Sequence, residues 1–384
     1  MKTLYLHIGS HKTGSSSIQQ ALFQNRDNLA GQGLSLFSEN QQGELIPSGN
    51  TSNAWVSAAD LRDELQSGRG VRVSNLQRLA ERLAELPGDV VMSAENFSWV
   101  FSIDEVKRIG RECRRYFDRV QVIVYLRRQD RQVISHHQQG SKNRHNAASA
   151  YYSGDAFAIP LSRDHYDEYL NYYKRVSMWA EVFGAENLSI RVFEPDLLEG
   201  GEAVTDFFTL LGMAESADLK SVRENRSLGF ERTKVGHLLN ATLPNCELSS
   251  RIRSMLDNRG RSLPSAAEAK AFYARYVDSN RMLNREFAIT SVQEDLFNDD
   301  FSIYPEQPGD RWSEDSVNSA IEHILTAIAP LSGLKVEDLR DAAIALESSD
   351  IAASYRLMSI AYQLSGSASI GERLVEYRRR MSVR

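Results

Sequence analysis

The residues best suited to chemistry stand at the start of the chain, in Gly9-Ser10-His11-Lys12-Thr13-Gly14-Ser15-Ser16-Ser17. They follow a short run in which Leu4, Leu6 and Ile8 alternate with Tyr5 and His7, and a helix-compatible sequence begins near Ser16. A strand, a turn of small residues and a helix in that order make an anion cradle. Unpaired N–H groups of the helix start point into the turn, and the helix dipole adds partial positive charge there. Lys12 places a mobile ammonium in the same turn. The chemistry expected is the binding of a phosphate-like group. The order differs from that of the nucleoside triphosphate loop, where the lysine follows the second glycine; here Lys12 comes two residues before Gly14.

Two further groups matter only if the fold brings them to this turn. The run Val120–Leu126, mostly apolar and β-branched with Gln121 its single polar member, reads as a buried strand. It ends in Arg127, whose planar guanidinium can give a phosphate two parallel charge-assisted bonds. A second buried strand, Asp89–Met92, runs into Ser93-Ala94-Glu95-Asn96. The elements alternate: helix 16–29, strand 34–37, helix 76–86, strand 89–92, helix 103–116, strand 120–126, helix 166–183, strand 188–193. Such alternation predicts an α/β fold, a parallel sheet with helices on both faces. Ligands of doubly wound sheets bind at the carboxyl ends of the strands. Lys12, Glu95 and Arg127 are therefore expected along one edge, where a carboxylate can take a proton from an attacking hydroxyl.

Composition bounds the rest. A chain of 384 residues, 42% hydrophobic, suffices for one large domain with an accessory piece. A net charge of −6 gives no basic field for nucleic acid. The two cysteines, Cys113 and Cys246, exclude a disulfide scaffold and a cysteine-rich zinc site. No basic-then-apolar leader precedes the first strand, and no apolar run is long enough to cross a membrane, so a cytoplasmic location is expected. Residues 1–300 are read as the α/β domain. Residues 301–312, with two prolines, Gly309 and several acids, are read as a linker, and 313–384 as a helical C-terminal extension. In the extension Ile321, Ile324, Leu325 and Ile328 are spaced for one helix face, as are Leu339, Ala342, Ala343 and Leu346.

Lys12-Thr13-Gly14-Ser15-Ser16 resembles the 5′-phosphosulfate loop of sulfotransferases that use 3′-phosphoadenosine 5′-phosphosulfate (PAPS), with His11 in place of the usual proline. Those enzymes carry an arginine at the end of a central strand and a serine eight positions on, a spacing that Arg127 and Ser135 match, although Gln129 replaces a common proline. Phe193-Glu194-Pro195-Asp196-Leu197 is similar to a strand end of the family with Pro195 inserted. Tyr273–Phe287, with Asn280, and the following Leu296-Phe297 resemble the closing helix of bacterial members. The resemblance covers about residues 1–300 and implies a P-loop-like core. It implies that Gly9, Ser10, His11, Lys12, Thr13, Gly14, Ser15 and Ser16 hold the 5′-phosphosulfate. Lys12 would offset charge on the leaving oxygen, Arg127 and Ser135 would grip the 3′-phosphate, and Arg223 or Arg226 would close over it. The base is Glu95, as in glycan-modifying members, or His136 or His137, as in members acting on small phenols. The loop from Ser141 to His165, with Lys142, Arg144, Tyr151 and Tyr152, is the expected acceptor lid. The implied reaction moves a sulfuryl group from PAPS to a hydroxyl of a sugar or glycan and leaves 3′-phosphoadenosine 5′-phosphate (PAP). The alternatives are a metal-dependent nucleotide kinase or ATPase and a non-catalytic nucleotide-binding assembly protein.

Overall fold

Alternation along the first strand sends Leu4, Leu6 and Ile8 to one side of a central sheet and Tyr5 and His7 to the other in the computed structural model. The structure describes residues 1–56, 70–143, 148, 152, 157–160, 164–213, 227–243, 245–290, 294–328, 333 and 335–381. Five strands are β1 (Thr3–His7), β2 (Leu34–Leu36), β3 (Asp89–Ser93), β4 (Arg119–Leu126) and β5 (Leu188–Val192). They lie in the order β2-β3-β1-β4-β5, every pair parallel. The chain is thus an α/β protein with an all-parallel sheet flanked by helices, and a helical region follows.

The helices that build the site are α1 (Ser15–Gln24), α2 (Leu76–Glu85), α3 (Ile103–Cys113), α4 (Gln129–Ser141), α5 (Tyr172–Phe183) and α6 (Ala203–Leu210). On one sheet face Leu4, Leu6, Val90, Met92, Val122 and Val124 pack in a cluster with residues of α2, α3 and α5. On the other, Val91, Ile123 and Tyr125 meet Ile18 and Leu22 of α1 and Phe207 and Phe208 of α6. Full burial of each such side chain contributes roughly 1.5–3 kcal/mol. Because β1 lies between β3 and β4, the winding reverses beside it, and the carboxyl ends of these three strands adjoin. His7 pairs with Ser93 on one side and with Ile123 on the other.

Three expected helices are divided. The helix expected over 16–29 ends at Gln24; Asn25 turns its amide to Ala21 O (2.8 Å), and a short helix Arg26–Gly31 follows. The helix expected over 166–183 breaks at Asn171, whose Oδ1 accepts from Lys174 N (3.0 Å) and caps α5. Asparagine offers the backbone a local alternative to helix bonds, which periodicity alone does not register. The closing helix expected over 273–287 is two helices, Ala266–Ala274 and Val277–Phe287.

The chain divides into a first unit, residues 1–245 and 258–312, and a second, 246–257 and 313–384. The segment 301–312, expected as a linker, is packed into the first unit instead. Phe301 and Tyr304 are buried, Tyr304 Oη donates to Asp130 Oδ2 (2.5 Å), and Asp310 Oδ2 accepts from Ala158 N (2.9 Å). The aromatic residues outweigh the prolines there. In the second unit Leu339, Ala343, Met358, Ala361, Ile370 and Tyr377 form a small core, and Glu347 gathers Arg373, Tyr377 and Arg380. Ile321 and Leu325, expected to share one helix face, are 47% and 54% exposed, while Ala320 and Ala327 are buried. Among the described residues no helix is long and apolar enough to cross a membrane.

Candidate anion site and active site

The turn after β1 is tied to β4 before it becomes a loop. Ile8 N donates to Ile123 O, Ser10 N to Tyr125 O (both 3.0 Å), and Tyr125 N to Gly9 O (2.7 Å). Gly9 (φ 98°), Lys12 (φ 62°) and Gly14 (φ 82°) are left-handed. At Gly14 the need for glycine is also steric, since a Cβ would stand 3.0 Å from Ala203 Cβ and 3.3 Å from the Phe193 ring. Side chains early in the loop serve the fold. Thr13 Oγ1 donates to Ser10 O (2.7 Å), and Ser10 Oγ accepts from Arg175 (2.9 Å). His11 is buried, with Trp99 Nε1 donating to its Nε2 (3.1 Å) and Tyr169 Oη and Ser98 Oγ beside its Nδ1 (3.2 and 3.0 Å). Burial lowers the His11 pKa, keeping the ring neutral. Its amide donates to Tyr169 Oη, and its carbonyl accepts from Gln132 (2.9 Å). The amides that follow are different. The N–H groups of Lys12 through Ser17 find no acceptor among the described residues, and Ile18 N returns to Gly14 O (3.0 Å) to begin α1. Successive unpaired N–H groups at left-handed turns and at a helix start are the kind of backbone that can receive an anion.

Three charged side chains border it. Glu95 opens the 3₁₀ turn Glu95–Trp99 after β3, and its Oε2 accepts from Ser15 Oγ. The backbones meet closely as well, for a Cβ on Gly9 would lie 3.1 Å from Glu95 O. Arg127, past the end of β4, donates to Lys12 O (3.1 Å) and lies over the Phe193 ring (5.8 Å). Burial, then the neighbouring Arg131, lowers the Arg127 pKa. Lys12 Nζ donates to Gln139 Oε1 (3.4 Å). Burial, then Lys142, holds its pKa down to about 8, against an upward pull from Glu95. The ammonium forms no ion pair with a described carboxylate. Helix α4 covers the loop with one face: Gln132 bonds His11 O and Gln139 bonds Lys12. Ser135 and His136, three and four residues after Gln132, share that face by helix geometry. Ser135 is half-buried there.

Lys12, Glu95, Arg127 and Ser15 are thus brought together, with Ser135 on the helix above. His136 and His137 are drawn inward. His136 stacks on His11 (5.1 Å) and Trp99 (5.3 Å), and burial pushes its pKa well below the usual histidine range. The His137 ring lies 4.0 Å from that of His237. Arg223, Arg226, Arg144 and Tyr151 lie outside the described residues. Sequence reasoning missed Gln132 and Gln139, whose spacing of two helical turns was a usable signal. It also missed the lock beneath Arg127, in which Arg128 is held by both Asp130 oxygens (2.8 and 3.0 Å) and by Asn298 O (2.8 Å). Gln129, where a proline was expected, exchanges two amide bonds with Asn280 (2.8 and 3.0 Å).

The geometry defines an α/β chain whose first loop, with its run of unpaired amides, lies at the reversal point of its sheet. No family model matches the chain. Over 212 residues, 52% of its length, it is 27% identical to an uncharacterized protein of Archaeoglobus fulgidus, of which the match covers 54%. The chain therefore spans about half the length of the relative it matches.

Proposed function

We propose that the first unit is a PAPS-dependent sulfotransferase acting on a sugar or glycan hydroxyl. The observation that carries this reading is the convergence of free amides, Lys12, Glu95 and Arg127 at one sheet edge. When bound, PAPS supplies the activated sulfuryl group. The amides of Lys12 to Ser17 hold its 5′ end, and the Lys12 ammonium offsets negative charge on the bridging oxygen. Arg127 and Ser135 bind the 3′-phosphate. Glu95 takes the proton of the acceptor hydroxyl, a role supported by its half-buried place beside the loop while both candidate histidines are fully buried. In-line transfer then rests on positioning and electrostatics, as in phosphoryl transfer. Two free cysteines, one of them exposed, fit a reducing compartment such as the cytoplasm.

One observation favours a second reading. Ser15 Oγ donates to the strand-end Glu95, and a hydroxyl beside a strand-end carboxylate is also how a nucleotide kinase or ATPase holds Mg²⁺. The place of Lys12, before rather than after Gly14, favours the sulfotransferase. Calorimetric titration separates the two. PAP without metal should bind more tightly than ATP with Mg²⁺; the reverse order overturns the sulfotransferase reading.

A further inference from the structure

Among the described residues of the first unit two arginines are almost wholly buried, and they are held in opposite ways. Arg128, 1% exposed, is neutralised by the two-pronged bond to Asp130. Arg175 of α5, 2% exposed, forms no ion pair with any described residue. Its Nη2 donates to Ser10 Oγ (2.9 Å) and its Nη1 to Ser98 O (3.2 Å), and the guanidinium lies over the rings of Tyr169 (4.8 Å) and Tyr172 (5.1 Å). This buried cation has a hydroxyl, a carbonyl and two aromatic faces for partners and no opposite charge paired with it among the described residues. Its place suggests where such a charge would come from. Ser10 belongs to the anion loop, and Ser98 to the turn that carries Glu95, so one guanidinium sits behind both walls of the crevice. Ser98 Oγ also reaches His11 Nδ1 (3.0 Å) and Glu95 O (2.5 Å), which makes the support continuous.

We propose that Arg175 is the buried counter-charge of the anion loop, a positioning residue whose charge complements a sulfate or phosphate group held by the amides of Lys12 to Ser17. The proposal rests on the loop being an anion site and on no particular donor or acceptor. Charge acts through the low-dielectric interior, so contact between Arg175 and the ligand is not needed. The ring contacts and the bonds to Ser10 and Ser98 hold the guanidinium in place whether or not the loop is occupied. A purely structural arginine would do the same through hydrogen bonds alone, and the two roles separate when charge and hydrogen bonding are varied independently.

The test uses the full chain and inorganic sulfate, measured by calorimetry at constant ionic strength against chloride. Arg175→Lys keeps the charge and should bind sulfate within about threefold of wild type. Arg175→Gln keeps a donor for Ser10 and removes the charge, and should bind about tenfold more weakly, the order of effect of removing one unit charge that acts through protein interior. Equal affinity of Arg175→Gln and wild type, or equal weakening of the Gln and Lys variants, overturns the proposal. Should Arg175→Gln fail to fold, the Lys variant decides, since a tenfold loss with the charge retained is equally fatal. A wild-type chain that does not bind sulfate beyond the chloride control overturns the anion site as well. Sulfate binding together with indifference to PAP leaves this inference standing and removes the sulfotransferase.

Discussion

Raising the pH from 7 to 9 should loosen PAP from this protein about tenfold, and Lys12 is the reason. Lys12 is half-buried beneath α4, and desolvation there, then the nearby Lys142 and Arg127, holds its pKa down to about 8 from 10.5. At pH 7 about nine-tenths of the chains carry the proton, and at pH 9 about one-tenth. If only the ammonium form binds phosphate tightly, affinity falls by that ratio, or about 1.4 kcal/mol. The ligand does not confound the measurement, because phosphate monoesters lose their second proton near pH 6 and stay dianionic throughout. The effect on the fold runs the other way. Since the folded pKa lies below the unfolded value of 10.5, the stability owed to this group is complete above about pH 10.5 and is lost as pH falls through about 8. Alkali thus relieves the buried Lys12 charge in the free protein while weakening the complex. Calorimetry at pH 8 in two buffers of different ionisation enthalpy should also register uptake of about half a proton on binding. Lys12→Met should abolish both the uptake and the slope. A Lys12→Met chain with the wild-type pH slope would refute the reasoning outright.

Arg127→Ala should erase most of the preference for PAP over AMP, since a charge-assisted bond contributes roughly 1.5–3 kcal/mol; equal binding of the two ligands by the intact protein sinks the 3′-phosphate assignment. Glu95→Gln should lower turnover by about 10²–10⁴ with PAP affinity near wild type. His136→Ala should keep catalytic residual activity well above that of Glu95→Gln even though it opens the stack on His11 and Trp99. An active Glu95→Gln beside a dead histidine variant would move the base, and with it the acceptor class, toward small phenols or alcohols.

How far this was legible in the sequence depended on whether a residue's role was set by its neighbours in the chain or by distant ones. The parallel sheet and the shared edge followed from alternation, because a buried parallel strand declares itself in its apolar run and its end places whatever follows, whereas the order of the strands did not. Arg127 and Arg128 show where that stops. They are adjacent and alike in sequence, yet one borders the loop through Lys12 O while the other is sealed by Asp130, Asn298 and Phe301. The choice is made in part by Asn298, 170 positions away, and by Phe301, at the start of the segment that composition marked as a linker. His11 behaves likewise. Local reading makes it a loop member facing the ligand, but Trp99, His136 and Tyr169, from three separate elements, enclose its ring and leave the free amides to begin only at Lys12. The gaps have a common physical form: where a side chain's desolvation is offset by groups remote in sequence, its direction is a tertiary fact. Arg175 is the extreme case, a cation on an ordinary amphipathic helix whose meaning emerges only when Ser10 and Ser98 are seen to converge on it.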